Sequence, residues 1–218
     1  MMFLLVICSA LLTAGAALEC EVCVSLNSNS CSGHYELCKS PQSRCLVTLT
    51  ETTLKDGNGE MKSAVLEKSC GSFYNCSHPA TLTTEKFRVR VTTMCCNQDY
   101  CNKGPMDWKQ TNSTVNGVSC PSCFEKNSQS CDVKTHINCT GDEMHCVQYL
   151  ASRKEGSTIT VAGCASESMK KSEGRAAFQG SSVTVHGMKN TNNGESLRTN
   201  SFLLPFLAVL TTVSILLQ

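Results

Sequence analysis

The sequence predicts an all-β fold made of two tandem disulfide-rich units. Three observations carry this expectation. Cysteine supplies 17 of the 218 residues, about 8%, near the level at which a disulfide scaffold is the natural reading. The spacing of those cysteines runs twice through nearly the same series. The longer gaps between them read as strands and turns.

The first block holds Cys20, Cys23, Cys31, Cys38, Cys45, Cys70, Cys76, Cys95, Cys96 and Cys101, with gaps of 2, 7, 6, 6, 24, 5, 18, 0 and 4 residues. The second holds Cys120, Cys123, Cys131, Cys139, Cys146 and Cys164, with gaps of 2, 7, 7, 6 and 17. The first four gaps agree within one residue, which marks an internal repeat. Leu-Glu-Cys-Glu-Val-Cys at 18–23 faces Val-Ser-Cys-Pro-Ser-Cys at 118–123. Only the first block ends in Cys95-Cys96-Asn97-Gln98-Asp99-Tyr100-Cys101-Asn102.

Strands follow from residue type and period. Cys45 to Thr50 is rich in β-branched residues, Asp56-Gly57-Asn58-Gly59 tolerates the positive φ of a tight turn, and Met61 to Cys70 returns. His145 to Leu150 and Ser157 to Val161 repeat the pattern around Arg153-Lys154-Glu155-Gly156. Lys86 to Thr93 alternates with period 2, setting Phe87, Val89 and Val91 on one face and Lys86, Arg88 and Arg90 on the other. Aromatics make up 6% of the chain, so each unit has a thin apolar core and depends on covalent staples.

The ends carry processing signals. Residues 1–17 read as a signal peptide, with an apolar run from Phe3 to Leu12 and small residues at Gly15 and Ala17. Cleavage is expected before Leu18, or else after Ala16. It removes Cys8 and leaves an even number for pairing in an oxidising compartment. Residues 202–218 are apolar, follow the polar spacer 190–201, and lack a basic stop-transfer cluster. They read as the removed tail of a glycosylphosphatidylinositol (GPI) anchor signal, with Asn192 as the attachment residue and Asn193 as the alternative. A short transmembrane helix is the competing reading of this tail.

Residues 103–117 form a cysteine-free linker holding Trp108, the single Trp, which is expected to pack between the domains or else to touch a partner. Residues 165–201 are mostly Ser, Lys, Asn, Gly and Glu, with one strand-like run at 181–186.

The Cys-x2-Cys start and the Cys-Cys-x4-Cys-Asn finish resemble the three-finger fold of the lymphocyte-antigen and urokinase-receptor (LU, or UPAR/Ly-6) family, which shares its architecture with snake toxins. The resemblance spans 18–102, extends in part over 118–164, and stops there. It implies two tandem three-finger domains, at 18–102 and 118–189, the second cysteine-poor with an incomplete third finger. It also implies the pairs Cys20–Cys45, Cys23–Cys31, Cys38–Cys70, Cys76–Cys95 and Cys96–Cys101, then Cys120–Cys146, Cys123–Cys131 and Cys139–Cys164. Asn102 takes a structural hydrogen-bonding role in the palm. Because the second domain lacks counterparts of Cys76, Cys95, Cys96 and Cys101, its third finger over 165–190 is expected to be looser than that of the first.

Other chemistry is weakly supported. The two Cys-x2-Cys pairs lie too far apart for a zinc ribbon, and no βαβ pattern makes them a redox site. His34, His78, His136, His145 and His186 form no metal or nucleophile motif. With 19 basic and 18 acidic residues, no net field favours nucleic acid. Asn75, Asn112 and Asn138 begin Asn-x-Ser/Thr sequons and are candidate glycan acceptors. Lys86, Arg88 and Arg90 are a candidate contact for an acidic partner, or else a solvated face.

The expected function is therefore that of a non-enzymatic glycoprotein, GPI-anchored on the outer leaflet of the cell membrane. It binds an extracellular or cell-surface protein in a receptor, adhesion or regulatory role and uses no cofactor. The alternative is a secreted inhibitor of an extracellular enzyme such as a phospholipase.

Overall fold

The computed structural model describes residues 17–40, 43–57, 59–71, 76, 79–106, 112–178 and 181–186. The signal peptide, Trp108, Asn75, His78 and the anchor site at Asn192 or Asn193 lie outside the described residues.

The first domain holds β1 (Glu19–Leu26), β2 (His34–Leu37), β3 (Arg44–Asp56), β4 (Gly59–Gly71), β5 (Ala80–Thr83) and β6 (Phe87–Cys96). The second holds β7 (Val115–Lys126), β8 (Thr135–Thr140), β9 (His145–Ser152), β10 (Thr158–Ala165), a short helix α1 (Glu167–Lys171) and β11 (Ser182–His186). The described residues are all-β apart from that helix, in two repeats.

The repeats share fine detail. In each, the first strand ends at an asparagine with positive φ, 53° at Asn27 and 55° at Asn127. Asparagine tolerates this left-handed turn better than most residues. Its N–H then donates at 2.7 Å to the next hairpin, from Asn27 to the Ala64 carbonyl and from Asn127 to that of Thr158. The β3–β4 hairpin pairs from Cys45↔Cys70 to Asp56↔Gly59. The β9–β10 hairpin pairs from His145↔Ala165 to Ser152↔Thr158.

The domains are not beads on a linker. β5, at the edge of the first domain, pairs with the end of β10 through Cys164↔Thr83 and Ala165↔Leu82. One sheet therefore runs through both domains, in the order β11-β9-β10-β5-β6-β3-β4-β1-β2, with β7 branching from β10 and β8 pairing β7. A single core crosses the boundary: Leu82, Val89 and Val91 of the first domain pack with Tyr149, Val161 and Ala165 of the second.

The segment that looked loose, 165–190, is built and packed as far as it is described. Helix α1 buries Met169, and the turns after it bury Phe178, both against the shared core. β11 then pairs β9 antiparallel, from Ser182↔Ser152 to His186↔Gln148, as β6 pairs β3. Aligned on Cys45 and Cys146, β11 occupies the register of Arg90 to Met94. The third finger of this domain thus keeps its return strand, replaces its outgoing strand with a helical turn, and is held by apolar contacts in place of bridges. The strand-like run at 181–186 is β11, whereas Met169 and Phe178 stand in no periodic pattern and had no sequence signal.

Candidate functional site

Eight disulfides hold the two palms. The first domain joins Cys20–Cys45, Cys23–Cys31, Cys38–Cys70, Cys76–Cys95 and Cys96–Cys101. The second joins Cys120–Cys146, Cys123–Cys131 and Cys139–Cys164. In both, two bridges touch: Cys20 Sγ lies 3.3 Å from Cys38 Sγ, and Cys120 Sγ 3.3 Å from Cys139 Sγ. The sulfur clusters Cys20/Cys38/Cys70 and Cys120/Cys139/Cys164 are close enough to suggest metal ligands, but every member is a half-cystine with no thiolate to offer.

The first palm has a second lock. Asn102, buried, accepts from the Glu21 N–H at 2.9 Å and donates Nδ2 to the Glu21 carbonyl at 2.8 Å and that of Leu46 at 3.4 Å. It ties the C-terminal end of the domain to β1 and β3. On β1, the Glu21 side chain meets Lys68 of β4, whose Nζ donates to Oε2 at 2.8 Å and to the Cys31 carbonyl at 2.9 Å. Lys68 is 0% exposed. Burial pushes the Glu21 carboxyl up, but the Lys68 hydrogen bond, the Gly33 N–H and the charges of Lys68 and Lys103 outweigh it and hold the group below its ordinary value. In the second domain the matching positions are Pro121 and Ala162, so this ion pair has no counterpart.

The domain junction is equally specific. Ser166 donates its N–H to the Thr81 carbonyl at 3.0 Å, and its hydroxyl accepts from the Thr81 N–H at 3.0 Å while donating to the Pro79 carbonyl at 3.2 Å. The Thr83 hydroxyl donates to Glu143 Oε1 at 2.6 Å, and the Glu85 N–H to the Ser122 hydroxyl at 2.8 Å. Phe87 stacks on Phe124, ring centroids 5.0 Å apart. Burying a shared apolar surface flanked by these hydrogen bonds makes the two domains one body.

The sheet face that forms this core continues, uncovered, across the first domain. Leu26 pairs with Val65, and Val24 with Glu67, on β4. Met61 of β4 stands over Leu54, which faces Phe87. Directly opposed residues share a face. Val24, Leu26 and Met61 therefore lie on the same side as half-buried Phe87 and buried Val89 and Val91, yet are 64%, 72% and 62% exposed.

The basic stripe separates into two parts. Arg90 is 9% exposed and reaches Glu51 at 3.9 Å. Lys86 and Arg88 instead line a groove of about 240 Å³ with Lys55 and Lys62 of the second finger. Arg88 also lines a smaller cleft, about 150 Å³, that holds Asp142 and Glu143 of the second domain and Asn112. Lys55 and Lys62 went unnoticed in the sequence because they come from separate strands, and only the hairpin register brings them beside Arg88.

Asn112 and Asn138 are exposed. His145 of β9 ties down α1 within the second domain, with Nε2 2.6 Å from Glu167. Among the described residues no helix is long and apolar enough to cross a membrane.

A family profile described as the u-PAR/Ly-6 domain matches residues 16–104 and 116–193. Mouse urokinase plasminogen activator surface receptor is 30% identical over 159 residues, 71% of this chain and 47% of that one. The chain thus spans about half the length of that relative. A phospholipase A2 inhibitor, PIP, of Malayopython reticulatus is 26% identical over 158 residues, 70% of this chain and 75% of the inhibitor. The crystal structure of mouse TEX101 aligns over 77% of this chain and 97% of that one, at 17% identity and a TM-score of 0.33.

Proposed function

The chain belongs to the u-PAR/Ly-6 domain family, and from that premise we propose that it is a non-enzymatic, GPI-anchored surface protein that binds an extracellular protein. The observation that carries this reading is the exposed apolar strip of Val24, Leu26 and Met61, on the same sheet face as the shared core. Large apolar side chains left open on one face of a disulfide-rigid sheet are suited to another protein. The bridges and the joined sheet hold that face preformed, which lowers the entropy lost on association. The role is that of a receptor, adhesion or regulatory protein, with the anchor at Asn192 or Asn193 and glycans on Asn75, Asn112 and Asn138.

The test is capture of surface proteins by the soluble ectodomain, compared with a Leu26→Glu, Met61→Glu variant of unchanged disulfide content. Partners retained equally by both would overturn the assignment of this face.

A second reading is favoured by coverage. The python inhibitor matches over 75% of its own length, against 47% for the mouse receptor. On that reading the protein is a secreted inhibitor of an extracellular enzyme such as a phospholipase. Release of the protein from intact cells by a phosphatidylinositol-specific phospholipase C supports the anchored reading; protein found only in the medium supports the inhibitor.

A further inference from the structure

We propose that the fingers of the first domain carry a binding site for a sulfated polysaccharide, formed by Lys55, Lys62, Lys86 and Arg88 and distinct from the apolar strip.

The strand register builds it. Lys62 of β4 faces Thr53 of β3, and Thr53 faces Arg88 of β6. Two cations thus flank one threonine in a single cross-strand row, about 10 Å apart at two strand spacings. Lys55 and Lys86 stand at the finger tips, which are tied together by the Lys55 N–H donating to the Lys86 carbonyl at 2.7 Å.

The local charge balance is unlike that of the whole chain. The groove has four cations and two carboxylates, Glu60 and Glu85, a surplus of two (4 − 2 = 2), where the whole chain carries +1. Glu60 pairs with Lys62 at 3.6 Å, and Glu85 Oε2 accepts from the Thr135 hydroxyl at 2.9 Å. Among the described residues, no carboxylate lies within 4.0 Å of Lys55, Lys86 or Arg88. The positive surface then has an edge. In the next row Arg90 meets Glu51, and Asp142 and Glu143 line the adjoining cleft.

The wall chemistry selects the ligand. Protein interfaces draw most of their energy from buried aromatic and apolar anchors. Here the walls are cations, threonines and the two carboxylates already engaged by Lys62 and Thr135, and the one aromatic, Phe87, is committed to its stack on Phe124. Dispersed lysine point charges on a flat strand surface suit dispersed sulfates, and the Thr53 hydroxyl between Lys62 and Arg88 suits the sugar.

The test uses the soluble two-domain protein and heparin oligosaccharides at about 0.1 M NaCl. Binding is expected and should weaken steeply with added salt, while desulfated heparin should not bind. Replacing Lys55, Lys62, Lys86 and Arg88 together by Gln should weaken binding about tenfold or more, by the summed loss of exposed charge contacts. Replacing Lys134, Arg153, Lys171 and Arg175 by Gln, an equal charge change elsewhere, should leave it unchanged. Single Lys62→Gln and Lys86→Gln variants, at exposed positions, give the same answer should the quadruple variant fold poorly. Absence of heparin binding, or equal loss in the charge-matched control, overturns the proposal. So does equal binding of polyglutamate, which points to an acidic protein, or of phosphatidylserine vesicles, which points to a membrane.

Discussion

Gly163 of the second domain and Thr83 of the first lie in backbone contact, with the Thr83 carbonyl oxygen where a side chain at 163 would begin. A Cβ there falls inside the 3.0 Å that real Cβ atoms keep from backbone. The whole joined sheet depends on this approach. A Gly163→Val substitution is expected to part β5 from β10 and to destabilise the protein by about 1–3 kcal/mol or more. Faster amide exchange in Thr81–Thr83, with the β3–β4 hairpin unchanged, is the expected readout. An unchanged exchange pattern would show that the domains do not depend on this contact.

The Glu21–Lys68 pair sets an acid limit. Its native carboxyl lies below the ordinary value of 4.5, so the unfolded state binds a proton first as pH falls. The stability it contributes is present above pH 4.5 and is lost as pH drops through the native value. Lys68→Met, which strands the buried carboxylate, is expected to cost about 3–5 kcal/mol at neutral pH. The Glu21→Met, Lys68→Met double variant should recover much of that in denaturant titrations. Equal losses in the single and double variants would argue against the pair.

Asn102 closes the first domain through three hydrogen bonds to backbone. Asn102→Ala leaves buried partners unsatisfied, and a loss of about 1–3 kcal/mol is expected. The loss should appear as a lower thermal midpoint with the disulfides intact.

The rebuilt third finger stands or falls on two apolar side chains. Phe178→Ala is expected to cost about 3–5 kcal/mol, and Met169→Ala about 2–5 kcal/mol. Limited proteolysis should then cut first between 166 and 186. Uncut chains at wild-type rates would show that the segment is not anchored this way.

Tyr149 reports on the same packing. Burial first, then the charge of Glu173, raises its hydroxyl to about 12. Its neutral form is therefore favoured in the native state, and the stability it lends is full below pH 10 and declines as pH rises toward 12. An ultraviolet titration should show a tyrosine ionising near pH 12 that is absent in Tyr149→Phe.

The repeat was legible because cysteine spacing is a local property, and so were the strands, since β-branched runs and period-2 alternation survive in any context. The alternation of Phe87, Val89 and Val91 located a buried face, but not that the second domain would cover it. Lys68 sits in a stretch where neighbouring charges are solvated, and only the cross-strand arrival of Glu21 makes it interior. Gly163, an isolated glycine inside a strand, was the available signal of a close backbone approach. Met169 and Phe178 gave none, because a five-residue helix and irregular turns have no period to read.

The last cross-link in the described chain is Cys139–Cys164. The described residues from there to His186 are held without a bridge, by Ser166 on Thr81 and Pro79, the helix with its Glu167–His145 contact, Phe178 and the five residue pairs of β11 on β9. Mechanical load entering past His186, from a membrane attachment for example, therefore meets its first covalent stop at Cys164. About 70 Å of extended chain can pay out before that stop. Under such a load the segment is expected to act as slack, drawn out before the eight-bridged body unfolds.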